Sequence, residues 1–151
     1  ISGENSREQE LTEQLNELND RLLRQAAEYD NFKKRSAKEK TEAYKDATAK
    51  CVAELLPVVD NLERALECEC SDETFKKGVE MTYQSLKSSF EKLGVSEIES
   101  EGKPFDPNLH NAVSQISDDS FGENTVSSVF QKGYIIGDKV IRHAMVVVAN
   151  P

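Results

Sequence analysis

The sequence predicts an α+β protein with a long N-terminal dimerising helix, short helices that form a four-helix bundle in the dimer, and a small C-terminal all-β domain. No Gly or Pro occurs between Arg7 and Leu56, and leucines recur there at coiled-coil spacing. After Gly94, turn-forming residues become frequent and β-branched residues cluster. We therefore expect a paired, coiled-coil-like helix at residues 1–50, a helical dimerisation region at 51–94 and a β domain at 95–151.

The long helix is predicted over residues 8–56. Leu11, Leu15, Leu18 and Leu22 are spaced by four, three and four residues, which is the two-per-heptad seam of a coiled coil. Further along, the seam weakens as basic residues replace apolar ones. A single helix cannot bury such a seam, and the simplest partner is a second copy of the same helix.

Within the region at 51–94, residues 51–67 carry a denser apolar face. Pro57 lies inside this pattern and predicts a kink or a new helix start. Ser71 or Asp72 can cap a second helix that Gly94 ends. Two helices from each of two copies would form a four-helix bundle. The predicted dimer contacts are Leu11, Leu15, Leu18, Leu22, Leu55, Leu62, Phe75, Val79 and Leu86.

The last 57 or so residues are predicted to be strands and turns. The predicted strands cover residues 95–98, 112–116, 125–130 and 140–148. The predicted turns lie at residues 102–104, 118–124 and 137–138. A β domain of this size is marginally stable by itself, so we expect the helical region to support it.

The charge pattern argues against general nucleic-acid or anionic-membrane binding. The net charge is −9, which repels polyanions. Residues 33–50 nevertheless carry seven basic and three acidic side chains. This basic block has three interpretations: a solvated helix face, a docking surface for an acidic protein patch, or a nucleic-acid contact. The third is the weakest, because no interleaved aromatic residues accompany the block.

The cysteines and the apolar runs bear on the compartment. Three cysteines that include a C-x-C pair make a poor disulfide framework and fit a reducing compartment. No apolar run approaches the roughly 20 residues of a membrane span. We expect a cytoplasmic protein, or an organelle matrix protein if a targeting segment is missing before Ile1.

Common catalytic motifs are absent from the sequence. It contains no Walker-type loop, no GxGxxG and no HExxH. His110 and His143 have no nucleophile-plus-acid arrangement nearby, so we interpret them as structural. Cys68 and Cys70 supply only two of the four ligands of a tetrahedral metal site. We therefore expect no enzyme activity, catalytic residue, cofactor or metal.

Four segments are distinctive enough to compare with known families: residues 29–35 (YDNFKKR), 54–66 (ELLPVVDNLERAL), 105–113 (FDPNLHNAV) and 131–148 (QKGYIIGDKVIRHAMVVV). In sequence and order they resemble the GrpE family. The third and fourth segments are similar to the two signatures of that family. The resemblance extends over residues 15–150, approximately.

The resemblance implies an adenine nucleotide exchange factor. Members form parallel homodimers with two β wings, and we use the name β wing for residues 95–151 from here on. One wing docks on the nucleotide-binding domain of a DnaK-type chaperone and holds its cleft open, so that ADP leaves and ATP enters. No bond is made or broken by the exchange factor. The implied partners are the chaperone and a second copy, without nucleic acid or membrane.

The resemblance also implies chaperone-binding positions. These are Lys33 and Lys34 on the long helix, Arg64, Cys68 and Gly78 in the bundle region, and Phe105, Asn111, Phe130, Lys139 and Val148 in the β wing. Some family members have Arg where this chain has Lys139, and Lys lacks the planar fork needed for a bidentate contact.

Two other function classes remain open from the residues alone. The leucine seam also fits a homodimeric coiled-coil scaffold that presents a β interaction module to another protein. An enzyme with an unrecognised site in the β wing is a further alternative, supported only by the two histidines.

Overall fold

The structure is a computed structural model that describes residues 1–151 of a single chain. Its elements are α1 (Ser2–Glu67), α2 (Glu73–Lys92), β1 (Val95–Glu97), β2 (His110–Ile116), β3 (Thr125–Gln131), β4 (Tyr134–Ile136), β5 (Lys139–Arg142) and β6 (Ala144–Ala149). The α+β prediction is confirmed. The four-helix bundle requires a second copy and stays a prediction.

The chain divides into two compact units, residues 1–44 and residues 45–151. The first unit is entirely α-helical after Ile1, and every one of its residues is exposed. The predicted seam leucines are 55% to 64% exposed. This unit therefore has no core within the chain.

Helix α1 begins earlier and ends later than the sequence pattern indicated. Pro57 lies inside it, and no new helix starts there. The alternative of a new helix start was wrong, because the buried side chains on both sides of the proline, Leu56 and Val59, hold the helix against the core of the second unit. A single missing backbone donor on an exposed turn does not outweigh that packing. The alternative of a kink stays a prediction.

The limits of α2 follow from its caps. Asp72 Oδ1 accepts a hydrogen bond from the Phe75 backbone N–H at 3.0 Å, as an N-cap should. At the other end Gly94 has φ of +81°, a left-handed conformation that glycine adopts without steric cost. Both caps agree with the sequence prediction.

The β wing contains two three-stranded sheets, with strand orders β1-β4-β5 and β2-β6-β3. All pairs are antiparallel except β2 with β6. The single strand predicted at residues 140–148 is in fact two strands that belong to different sheets and are separated at His143. Strand β4 was not predicted, because its three residues lie between Gly133 and Gly137.

Two cores stabilise the second unit. One joins α1, α2, β1 and β4, and its buried members are Ala49, Val52, Leu56, Val59, Tyr83, Phe90, Val95, Tyr134 and Ile136. The other lies within the second sheet and contains Val126, Ala144, Val146 and Val148. The first core shows that the helices support the β wing, as its small size led us to expect.

Candidate functional site

A cleft of about 420 Å³ lies between the last turns of α1 and the end of β3. Its lining residues are Asp60, Glu63, Arg64, Glu67, Phe130 and Gln131. Of the predicted chaperone-binding residues, it brings together Arg64 and Phe130, which are far apart in the sequence. We call it the α1–β3 cleft.

Phe130 is the most exposed large apolar side chain in the β wing, at 77%. It lies near the end of β3, in a stretch where the pairing with β6 shifts register between Val129 and Gln131. Such a shift redirects a side chain relative to a regular strand. Across the cleft, Arg64 is exposed and its Nη2 donates to Asn61 Oδ1 at 3.1 Å. An exposed aromatic ring beside an arginine is typical of a protein-binding surface.

A polar network joins the two walls of the α1–β3 cleft. Arg142 of β5 donates from Nη1 to Asp60 Oδ2 at 2.7 Å and from Nη2 to Asp60 Oδ1 at 2.8 Å. The Lys132 backbone carbonyl accepts from Arg142 Nε at 3.1 Å and from Nη2 at 2.6 Å. Gln131 Nε2 donates to Asp60 Oδ2 at 3.2 Å. The β wing is thus bound to α1 by a bidentate, charge-assisted pair of hydrogen bonds between Arg142 and Asp60.

Lys132 extends the network to β1. Its Nζ lies 3.5 Å from Glu63 Oε1 and 3.8 Å from Glu97 Oε1. Partial burial lowers the pKa of Lys132, but the Glu97 and Glu63 carboxylates together raise it above its ordinary value. The amine therefore stays charged. Nearby, burial and the Glu63 carboxylate raise the pKa of Tyr134, so its hydroxyl stays neutral.

Gly133 lets β4 approach this network closely. A Cβ on Gly133 would lie 2.4 Å from the Ala144 backbone nitrogen and 2.8 Å from the Arg142 carbonyl oxygen. Both atoms are backbone and cannot move aside, so any side chain here would push β4 away from the start of β6. The glycine of the QKGY segment is required for packing.

A second cluster of charges lies where α1 passes the β4–β5 turn. Lys139, a predicted chaperone-binding residue, forms an ion pair with Asp46. Beside it, Lys45 Nζ lies 3.4 Å from Asp138 Oδ1. A backbone hydrogen bond and the Lys45 ammonium lower the pKa of Asp138. Lys139 is therefore already occupied by a carboxylate of its own chain.

The remaining predicted contacts in the β wing differ in exposure. Asn111 is exposed on β2. Phe105 is half-buried against the second core, with its ring centroid 5.8 Å from that of His110. Val148 is 2% exposed and belongs to that core. Its side chain is not available to a partner while the wing is folded.

The other predicted chaperone-binding residues lie outside the cleft. Cys68 is exposed just after α1. A Cβ on Gly78 would meet no atom within 4 Å, so nothing within the chain packs closely against this glycine. In the first unit, Lys33 lies over the Tyr29 ring at 5.5 Å and Lys34 lies 3.1 Å from Asp30.

The predicted dimer contacts of the second unit are only partly satisfied within one chain. Leu62 and Leu86 are half-buried against the first core. Leu55 and Phe75 are exposed, and Val79 is intermediate. Their free apolar surface is available to a second copy.

His110 is buried, with a feature that the sequence could not show. Its Nδ1 accepts from the Asp106 backbone N–H at 3.0 Å, so the proton of the neutral ring lies on Nε2. Nε2 is buried without a hydrogen-bond partner. Burial lowers the pKa of His110, and the Asp106 carboxylate only partly offsets this effect. No group of three or more potential metal ligands surrounds either histidine.

Asp60, Gln131, Lys132 and Arg142 were missed as site residues. A signal for two of them was present in the sequence. Asp60 follows Val58 and Val59 on the apolar face of a helix, and Arg142 ends an apolar run that begins at Val140. A charge inside an apolar pattern requires a paired partner, but the sequence does not identify that partner.

Comparison with known proteins gives consistent matches. The family model described as GrpE matches residues 2–150. A protein named "Protein GrpE" from Clostridium acetobutylicum is 57% identical over 137 residues, which cover 91% of this chain and 68% of the relative. Proteins of the same name from Clostridium beijerinckii and Clostridium tetani are 57% and 49% identical, over 87% and 99% of this chain and 63% and 74% of their own lengths. The chain thus spans between three fifths and three quarters of these relatives. Neither helix combines the length and apolarity needed to cross a membrane.

Proposed function

Since this chain belongs to the GrpE family, the nucleotide exchange factors of DnaK-type chaperones, we propose that its α1–β3 cleft binds the nucleotide-binding domain of such a chaperone. The observation that carries this proposal is the placement of Phe130 beside Arg64 on one open surface. An aromatic ring that is 77% exposed costs solvation free energy in the free protein. Covering the ring on binding recovers that free energy.

The exchange requires no bond chemistry in this chain. A factor that binds the open, nucleotide-free chaperone more tightly than the ADP-bound form must weaken ADP binding by the same factor. A thousandfold coupling corresponds to a differential of about 4 kcal/mol. Hot-spot residues at protein interfaces contribute about 2 kcal/mol or more each, so Phe130, Arg64 and Lys139 suffice in magnitude. The proposal accordingly includes no catalytic residue and no cofactor.

The proposed assembly is a homodimer. The seam leucines of residues 1–44 have no partner within the chain, and exposed apolar rows at heptad spacing are typical of paired helices. The further proposed partner is the chaperone alone, with neither nucleic acid nor membrane. The proposed location is the bacterial cytoplasm, since the relatives named above come from Clostridium species.

The proposed chaperone contacts exclude the buried side chain of Val148. They comprise Lys33, Lys34, Arg64, Cys68, Gly78, Phe105, Asn111, Phe130 and Lys139. Of these, Phe130 offers the largest exposed apolar area, and we expect it to dominate the affinity.

The first experiment measures the release rate of a fluorescent ADP analogue from a matched DnaK-type chaperone, with and without this protein. We expect marked acceleration by the wild type. Phe130→Ala should raise the half-saturating concentration about thirtyfold, whereas the control Ser128→Ala, exposed on the same strand, should leave it unchanged.

Two outcomes would contradict the proposal. A folded dimer that does not accelerate release would favour a coiled-coil scaffold that presents the β wing to another protein. Acceleration that Phe130→Ala and Lys139→Glu leave unchanged would place the docking surface elsewhere on the chain.

A further inference from the structure

The contacts of Asp60 fix the β wing at a defined angle to α1. Both carboxylate oxygens are used: Oδ1 accepts from Arg142, and Oδ2 accepts from Arg142 and from Gln131. The Asp60 and Arg142 side chains are only 15% and 22% exposed. A fork-to-fork arginine–carboxylate pair constrains orientation as well as distance.

The same pair also restrains the chain on either side of β4. Arg142 is bonded to the Lys132 carbonyl oxygen as well as to Asp60. The guanidinium therefore joins α1, the end of β3 and β5 in one rigid unit. Lysine could not replace Arg142, since a single ammonium lacks the planar set of donors that reaches both Asp60 oxygens and the Lys132 carbonyl oxygen.

Asp60 occupies a special place relative to the docking residues. On α1 it lies one helical turn before Arg64, on the same face. In the β wing it is bonded to Gln131, the residue directly after Phe130. One carboxylate thus sets the distance between the two sides of the α1–β3 cleft, although only 15% of its own side chain is exposed.

We propose that Asp60, through Arg142 and Gln131, is a positioning residue for nucleotide exchange: it holds the β wing so that Phe130 and Arg64 engage the chaperone together. This inference rests on the function proposed above. A chaperone domain that is held open by two surfaces at once needs those surfaces at a fixed separation. A wing that pivots can still touch the chaperone, but it cannot transmit the force that keeps the cleft open.

The test separates geometry from contact. The protein variants are Asp60→Asn, which keeps the shape and removes the charge, and Arg142→Lys, which keeps the charge and removes the fork. The control is Lys87→Met, which breaks the 3.6 Å Lys87–Glu97 ion pair between α2 and β1, away from the cleft. For each variant of the 151-residue chain, the maximal rate of ADP-analogue release and the half-saturating concentration are measured. The free energy of unfolding of each variant, measured with denaturant, shows whether the variants are equally stable.

The expected result is a loss in maximal rate of about tenfold for Asp60→Asn, a smaller loss for Arg142→Lys, and a change within twofold for Lys87→Met. Equal maximal rates for Asp60→Asn and Lys87→Met would overturn the proposal. A rise in the half-saturating concentration alone, at unchanged maximal rate, would also overturn it, because Asp60 would then act as a contact.

A direct measurement of geometry makes the test independent of exchange. Spin labels are placed at Ala65→Cys and Ser128→Cys, both exposed, in a chain with Cys51, Cys68 and Cys70 replaced by serine. The labelled chain is mixed with excess unlabelled chain, so that distances within one chain dominate. We expect a narrow distance distribution with Asp60 and a broad one with Asp60→Asn.

The two readouts distinguish the two proposals. A wild type that fails to accelerate ADP release would end the proposed function, while the label distances would still decide whether Asp60 holds the wing. A distribution that stays narrow in Asp60→Asn would remove the positioning role even if exchange were slowed.

Discussion

Residues 1–44 and residues 45–151 differ in whether their apolar side chains are buried within the chain. The first unit has a regular row of leucines and not one buried residue. The second unit has a row at similar spacing on α1, Ala49, Val52, Leu56 and Val59, but that row is buried in a core that α2 and the β wing complete. A periodic apolar row therefore indicates a helix face that must be covered, and the difference between the units is whether the same chain supplies the cover.

The largest effect is expected from charging the seam of the first unit. Leu15→Asp with Leu22→Asp should abolish pairing of residues 1–44, since each buried leucine contributes about 1.5–3 kcal/mol and the dimer would contain four of these sites. Hydrogen exchange of the amides in residues 8–30 should become as fast as in an unpaired helix.

Leu23→Asp is the matched control, because Leu23 is 70% exposed and lies outside the seam. It should leave the exchange rates of residues 8–30 nearly unchanged. Equal losses of hydrogen-exchange protection in the Leu23→Asp protein and in the double variant would mean that the leucines named above do not form the seam.

A smaller effect is expected from the core of the second unit. Leu56→Ala should lower the free energy of unfolding by about 2–5 kcal/mol, because Leu56 is 1% exposed and lies in the core that joins both helices to the β wing. Denaturant unfolding at several protein concentrations provides the measurement.

The neighbouring Leu55 sharpens this test. It is 42% exposed and is predicted to contact the second copy. Leu55→Ala should therefore lower stability in a concentration-dependent manner, as expected for a dimer contact, whereas the loss from Leu56→Ala should be similar at all concentrations. If instead the loss from Leu56→Ala depended on protein concentration and that from Leu55→Ala did not, Leu56 would be the dimer contact and Leu55 the core residue.

The accuracy of the sequence prediction followed the range of the interactions. The Asp72 cap and the Gly94 stop were predicted because each depends on a few neighbouring residues. The helix through Pro57 was not predicted, since its continuity depends on packing against residues far away in the chain. Strands β5 and β6 were predicted as one because the two polar residues Arg142 and His143 interrupt the apolar run too briefly to indicate a change of sheet.

The candidate site shows the same limit. The family resemblance supplied Arg64 and Phe130, but the Asp60–Arg142 pair joins residues 82 positions apart. The sequence shows two charges inside apolar segments and gives no indication that they meet. Only the fold places them in contact, together with the Lys132 carbonyl that completes the network.

A pH effect should occur in the second unit, where His110 is buried. Because burial holds the pKa of His110 below its unfolded value of about 6.5, the unfolded chain takes up the proton more readily. Stability should then fall as the pH drops below about 6.5, by at most about 1.4 kcal/mol per pH unit, until the folded pKa is reached.

His110→Asn keeps an acceptor for the Asp106 N–H and removes the titration. The difference in unfolding free energy between pH 7.5 and pH 5.5 should be smaller in this variant than in the wild type. All other titratable groups are common to both proteins. Identical pH profiles would show that His110 does not titrate on unfolding.

The smallest effect is expected where the two units meet in the sequence. Asp46 lies two residues beyond Tyr44 and pairs with Lys139. Asp46→Asn should remove an exposed ion pair that contributes about 0.2–1 kcal/mol. Hydrogen exchange of residues 45–50 should become a few fold faster, while Glu42→Gln, at a residue that makes no ion pair, should have no effect.

Asp46→Asn also frees Lys139, so the contact of Lys139 with the chaperone should strengthen by a similar factor if Lys139 is a docking residue. Faster hydrogen exchange together with weaker chaperone binding would instead mean that the Asp46–Lys139 ion pair holds Lys139 in the orientation used for docking.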